Sequence, residues 1–242
     1  MENRFLKEYE DTRKAFEKCF EKHVAAGVIF LSPDGILIDD TVEIAAGTTI
    51  LPGTILRGAT KIGAGSVIGP NSLLEDAVLG EKVTFNASQG YHCVIDSGAA
   101  IGPFSHIRPD SHICRDVHLG DFVEIKNATI GAGTSVSHLS YVGDSDVGEG
   151  CNFGCGVAVA NYNGMGKNRC TVGDYAFIGC NTNLVAPVNI GAGAYTAAGS
   201  TITQDVPADA LGIARAKQTN KEGWAAEKLE AYKEKQKTKL KK

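Results

Sequence analysis

An excess of positive charge is missing from this sequence. Its 24 Lys and Arg stand against 28 Asp and Glu, and the net charge of −4 with a pI near 5.9 argues against a nucleic-acid partner. Long apolar runs are missing too. None approaches the roughly 18–20 residues of a membrane-crossing helix, so no membrane association is expected. Aromatic residues are few, at 7%. The seven Cys are an odd number, and Met1 is followed by ENRFLKEYEDTRK, which is charged throughout rather than leader-like. Reduced thiols in a cytoplasmic protein are therefore expected, not a disulfide framework. Cys151 and Cys155 have no second pair at metal-ligand spacing, which speaks against zinc. What is abundant is Gly, with 29 residues, as suits tight corners that need φ > 0. A length of 242 residues allows one domain or two with ample core.

A period organises the chain from about Val42 to Val206. An aliphatic residue recurs every sixth position at Ile44, Ile50, Leu56, Ile62, Ile68 and Leu74, and again at Ile101, Ile107, Ile113, Leu119 and Ile125. Four positions after each comes Ser, Thr, Val or Ala, as in IGAGSV, IGAGTS and VGDYAF. Period six is neither helical nor simply alternating. It suits a very short strand plus a turn, repeated so that three sides make a coil of 18 residues. Stacked coils form a parallel β-solenoid, an all-β fold whose hand the spacing does not give.

Residues 3–24 carry Phe5, Leu6, Tyr9, Phe16 and Phe20 at helical spacing among alternating charges. They predict an amphipathic helix, 1–26, packed by its aromatic face on the solenoid or on a partner subunit. The solenoid is expected over 27–210. Its repeat skips one residue near Leu79, loses register in QGYHCV, and shortens by one at Ile125→Ile130 and Val142→Val147. Between Val159 and Val172 the spacing is thirteen residues instead of six, so NYNGMGKNRC is a loop extruded at about 160–171. Excursions on rigid scaffolds often carry function. Residues 211–242 read as an arm and a basic, solvated helix, with eight Lys against four Glu from Lys221 on.

The coil acts as a ruler for candidate sites. Arg108 and Lys126 each follow an aliphatic residue, three hexads apart, and should stack about 4.8 Å apart on one face. Two stacked cations suit a phosphate between them; the plain alternative is a pair of solvated charges. Counting three hexads at a time from His138 gives Cys155, Cys180 and Ala198, a track of small side chains beginning at a histidine. His138 could be an ordinary surface residue, yet Tyr141, Glu124 and Asn152 fall near it, giving a carboxylate to orient the imidazole. His106, His112 and His118, six apart, fall at three successive corners of one coil and point apart. They read as structural residues, not as metal ligands.

From about Phe104 to Trp224 the runs IGPFSHIRPDS, LGDFVEIKNATIG, SVSHLSYVGDSDVG, NFGCGVAVANYNG, NLVAPVNIGAGAYTAAGSTIT and ARAKQTNKEGW closely resemble one family. It is the acetyltransferase domain of the bacterial bifunctional N-acetylglucosamine-1-phosphate uridyltransferase/glucosamine-1-phosphate N-acetyltransferases. The resemblance implies a left-handed parallel β-helix with terminal α-helices, a homotrimer with sites between subunits, and acetyl-CoA as cosubstrate with no metal in acetyl transfer. It places the base on His138 and its orienting carboxylate on Glu124. Sugar-phosphate ligands fall on Arg108, Lys126, Tyr141, Asn152 and Lys167, and acetyl-CoA contacts on Cys155, Asn161, Tyr162, Cys180, Ala198 and Arg215. The family commonly has Ala and Ser where this chain has Cys155 and Cys180. No G-x-G-T-R-M-like stretch is present, so uridyl transfer and its Mg²⁺ are not expected. Any such step would fall to a separate uridyltransferase. Two rivals remain: a hexapeptide acyltransferase for another amino sugar phosphate, such as galactosamine 1-phosphate, and a non-catalytic solenoid that binds a sugar phosphate.

Overall fold

The computed structural model describes residues 4–240. Helix α1 (Arg4–Ala25) is followed by thirty strands of two to four residues and then by helix α2 (Ala226–Leu240). The strands form three parallel sheets. Sheet A has 11 strands, from Ile29–Phe30 to Leu211–Gly212; sheet B has 10, from Leu37–Ile38 to Thr201–Ile202; sheet C has 9, from Glu43–Ile44 to Val188–Ile190. With few exceptions each strand pairs with the third strand before and after it, as in Ile44↔Ile62, Ile107↔Ile125 and Val136↔Phe153. This is the left-handed parallel β-helix of hexapeptide units.

Two residues per side are enough because each side points only one aliphatic chain inward. Ile50, Leu56, Ile68, Leu74, Ile107, Ile113, Leu119 and Ile125 are fully buried in stacked columns. Each such burial contributes about 1.5–3 kcal/mol. The small residue four positions on fills the corner of the core, where its hydroxyl satisfies backbone. Thr48 Oγ1 donates to Gly63 O (3.0 Å), and Ser66 Oγ donates to Gly80 O (3.2 Å) while accepting from Val83 N (3.1 Å). Asp76, Asp110, Asn127 and Asp144 take the left-handed conformation at corners, which short polar side chains tolerate.

The shortenings read from the spacing are present, and some expectations change. Ile62↔Leu79 and Ile113↔Ile130 are 17 apart because a side of five residues leads from sheet B to sheet C, and Leu79↔Ile95 is 16 apart because the side from Phe85 in sheet A to Gly90 in sheet B is short as well. QGYHCV breaks the six-residue count, as read, with two successive sides of five residues, yet the strand pairing continues through it: Gly90 lies opposite Leu74 and Ile107 in the inward column. A Cβ there would approach Leu74 Cδ2 to 2.9 Å and Phe85 Cζ to 3.4 Å, so the large Phe85 occupies the volume that Gly90 vacates. His106, His112 and His118 point apart as expected, but they lie on strands of sheets B, C and A rather than at corners.

Helix α1 buries only its C-terminal half against the first coils. Cys19 and His23 are buried, and Phe20 packs tilted against Phe30 at 4.3 Å between centroids. Leu6 and Tyr9 are exposed, which corrects the expectation of a single packed aromatic face. The side chain of Phe5, part of that expectation, lies outside the described residues, as do residues 1–3 and 241–242. Helix α2 is solvated and carries surface pairs such as Lys233–Glu230 (2.8 Å), which contribute little. Among the described residues no helix is long and apolar enough to cross a membrane.

Candidate active site

The register of sheet B builds a basic cleft. Pairing of Ile107 with Ile125 puts Arg108 directly over Lys126, and Lys126 in turn lies opposite Gly143. The extruded loop then brings Lys167 against Lys126. Val147 and Val172 are sheet neighbours although 25 residues apart, which measures the insertion. The loop folds back on itself: Tyr162 and Lys167 form an antiparallel bridge, and Asn163 Oδ1 accepts from the amides of Met165 and Gly166 at the tip (both 2.9 Å). Arg108, Lys126, Lys167, Asn127, Asp144 and Arg169 line a cleft of about 470 Å³. The Lys126 ammonium is held below its ordinary pKa, first by its contact with the Lys167 amine, then by desolvation and by the charges of Lys167 and Arg108; Asp144 opposes. Crowded cations of this kind are relieved by a bound anion.

One buried carboxylate ties the loop to the coil. Asp144 accepts from Asn127 Nδ2 (2.5 Å) and from Asn161 Nδ2. Burial works against its charge, but the two amides, together with Lys167 and Lys126, outweigh it and keep the carboxyl below its usual range. Asn161 Nδ2 also donates to Tyr141 Oη (3.3 Å). The Tyr141 side chain lies across Gly143, where a Cβ would come within 2.2 Å of Oη, so this glycine is required by close approach. Arg169 closes the loop's return: Nε (2.8 Å) and Nη2 (2.5 Å) bind Asp146, and Nη1 donates to Asn127 O (3.1 Å).

The second column also follows the register. Backbone donation from Gly156 N to His138 O, from Asn181 N to Cys155 O and from Gly199 N to Cys180 O strings His138, Cys155, Cys180 and Ala198 along successive coils. His138, Cys180 and Ala198 are exposed, and Cys155 is half-buried. Arg215 stands over the far end, its Cδ 3.9 Å from where a Cβ on Gly199 would lie. Asn152 is on the outer face of sheet A, opposite Ser135 and Phe177, and Tyr162 is exposed at the base of the loop.

Glu124 differs from its expected placement. Its Oε1 accepts from Arg108 Nη1 at 2.7 Å, and among the described residues no hydrogen bond joins it to His138. In the register it faces His106 and Tyr141, while the residue opposite His138 is Asp121. Asp121, seventeen residues before His138, was missed because the column was counted only forward from His138, although the short side Ile125→Ile130 that sets this step shows in the spacing. Asn127, Asp144 and Arg169 were missed as well. Only the shortened corner and the loop's return path bring them to the cleft.

The fold is that of a hexapeptide-repeat solenoid. Residues 92–127 match the bacterial transferase hexapeptide family (six repeats). Across 208 residues, 86% of its length, the chain is 51% identical to "Bifunctional protein GlmU" of Clostridium acetobutylicum, covering 46% of that protein. It is 49% identical to the protein of the same description from Clostridium novyi, again over 86% of this chain and 46% of that one, and 48% identical to that of a Geobacillus species, over 86% and 45%. The chain thus spans about half the length of the curated relatives it matches, and the resemblance read from its sequence runs is borne out over that half.

Proposed function

We propose that the chain transfers the acetyl group of acetyl-CoA to the 2-amino group of glucosamine 1-phosphate, giving N-acetylglucosamine 1-phosphate. The observation that carries this reading is the cationic cleft of Arg108, Lys126 and Lys167 beside a column of small residues that begins at His138. The cations take the phosphate and so deliver the amine at a fixed distance. Tyr141 and Asn152 hold the sugar, and the coenzyme runs along Cys155, Cys180 and Ala198 to Arg215, with Asn161 and Tyr162 at the acetyl end. Both Cys fit a track that requires only small side chains.

The amine arrives largely as an ammonium ion. The ammonium first loses one proton to solvent; neutral His138 then takes a second as the nitrogen attacks the thioester carbonyl, and it returns that proton to the thiolate sulfur as the C–S bond breaks and CoA leaves. A backbone N–H of the track meets the developing oxyanion. Glu124 is engaged by Arg108 in the structure; a phosphate on Arg108 would displace it and leave its carboxylate to orient His138. The same reading makes the protein a cytoplasmic homotrimer whose product goes to a separate uridyltransferase.

CoA release with glucosamine 1-phosphate, galactosamine 1-phosphate and glucosamine 6-phosphate, side by side, tests the substrate. Glucosamine 1-phosphate is expected to give the highest kcat/KM. His138→Ala is expected to lose about 10²–10⁴-fold in kcat while still binding the sugar phosphate. Arg108→Ala should act mainly on KM. An active His138→Ala variant overturns the assignment of the base.

A further inference from the structure

Three chemistry-bearing side chains lie together outside this cleft, on the outer face of sheet C. His112 belongs to the strand Ser111–Ile113, and Asp96 follows the strand Cys93–Ile95 paired with it. Because Ile95 lies opposite Ile113 and both point inward, Asp96 lies opposite Cys114 and both point outward. His112 shares that face, two residues before Cys114. Their ligand atoms, an Asp96 carboxylate oxygen, a His112 ring nitrogen and Cys114 Sγ, all lie within 4.8 Å of one another.

We propose that Asp96, His112 and Cys114 bind a divalent transition-metal cation of zinc's class. The ligand set is the first reason. A thiolate, an imidazole and a carboxylate suit zinc and its neighbours, whereas Mg²⁺ and Ca²⁺ prefer oxygen alone. Rigidity is the second. The strands are pinned by Asp96 N to Ile113 O (2.8 Å), His112 N to Ala128 O (2.9 Å) and Cys114 N to Ile130 O (3.0 Å), so the site is formed without a cation. Fit is the third. His112 Nε2 and Asp96 Oδ2 are 2.9 Å apart. Bonds of about 2.0–2.2 Å at a tetrahedral angle need about 3.3 Å between these atoms, and about 3.6 Å from nitrogen to sulfur. The ring nitrogen and the carboxylate oxygen therefore have to part by about 0.4 Å, with the cation taking the place of their hydrogen bond, and Cys114 Sγ already lies within 4.8 Å of both. All three residues are part-exposed, so the fourth position opens to water. The adjacent Arg115 points its charge toward Asp116 (3.9 Å). The site lies on sheet C, around the corner from the cleft on sheet B of the same chain.

The sequence hides this site because Asp96 and His112 are sixteen residues apart, at no recognised motif spacing. Zn²⁺ titration of the full metal-stripped chain by calorimetry is expected to show one cation per chain. Cys114→Ser and His112→Ala should each weaken it by more than about tenfold, since even outer-shell partners typically cost that much. Co²⁺ should give a thiolate charge-transfer band in the wild type that Cys114→Ser loses, and Mg²⁺ should not compete. Circular dichroism and CoA release should stay at wild-type levels in both variants. The proposal is overturned if the wild type takes up no Zn²⁺, if Cys114→Ser binds it as tightly, or if Cys180→Ala abolishes binding instead.

Discussion

Gly143→Ala gives the sharpest test of how the cleft is built. The added Cβ would lie 2.2 Å from Tyr141 Oη, 2.6 Å from its Cζ and 2.9 Å from Asn161 Nδ2. Ordinary carbon contacts are about 3.5–4.0 Å, so the overlap exceeds 1 Å and the phenol has to leave. Overpacking of this kind costs about 1–3 kcal/mol, and loss of the Tyr141–Asn161 hydrogen bond adds about 0.5–1.5 kcal/mol. At roughly 2–4 °C per kcal/mol for a chain of this size, melting should fall by roughly 3–18 °C. If Tyr141 binds the sugar, KM for the amino sugar phosphate should rise about tenfold, equivalent to about 1.4 kcal/mol. The decisive measurement is the same substitution in a Tyr141→Ala background. There the clash with the phenol is gone, and the stability cost of Gly143→Ala should shrink by about 0.5–3 kcal/mol of coupling energy. An equal cost in both backgrounds would refute the contact, as would a Gly143→Ala protein that melts and turns over like the wild type.

Two further outcomes follow from the packing and from the buried carboxylate. Phe85→Ala should lose about 3–5 kcal/mol in urea unfolding, because Gly90 offers no side chain to fill the space; Phe85→Ala with Gly90→Val should recover part of it, and no recovery would show that the two positions do not share a volume. Asp144 has its folded pKa depressed, so the stability it contributes is complete above the unfolded value of about 3.9 and is lost as pH falls through the folded value. The unfolding free-energy difference between wild type and Asp144→Asn should therefore hold from pH 7 to 5 and narrow below about pH 4, and a difference independent of pH would contradict the assignment.

The solenoid was legible because its cause is local. One aliphatic residue every six positions, with a small residue four positions later, leaves a two-residue strand nothing to do but point one side chain inward and turn. The same count put Arg108 over Lys126 and ran Cys155, Cys180 and Ala198 onward from His138, because residues separated by whole coils must stack. The extruded loop was legible as a gap in the count.

Where the count drifts, sequence spacing stops being a ruler. A five-residue side changes the step from 18 to 17, which is why the residue opposite His138 is Asp121. Nothing in the spacing could show that Gly90 keeps the inward column by yielding its volume to Phe85, or that Asp144 joins Asn127 to Asn161 across the root of the loop. The preference of Glu124 for Arg108 is a choice between partners at comparable sequence distance, settled by side-chain geometry. The grouping of Asp96 with His112 and Cys114 arises only once two coils are laid in register. The sequence alone thus determined the period, the core and the columns, since each depends on neighbours along the chain. Tertiary structure decided which polar groups meet, since that depends on corners one residue shorter and on a loop that returns to a coil it left.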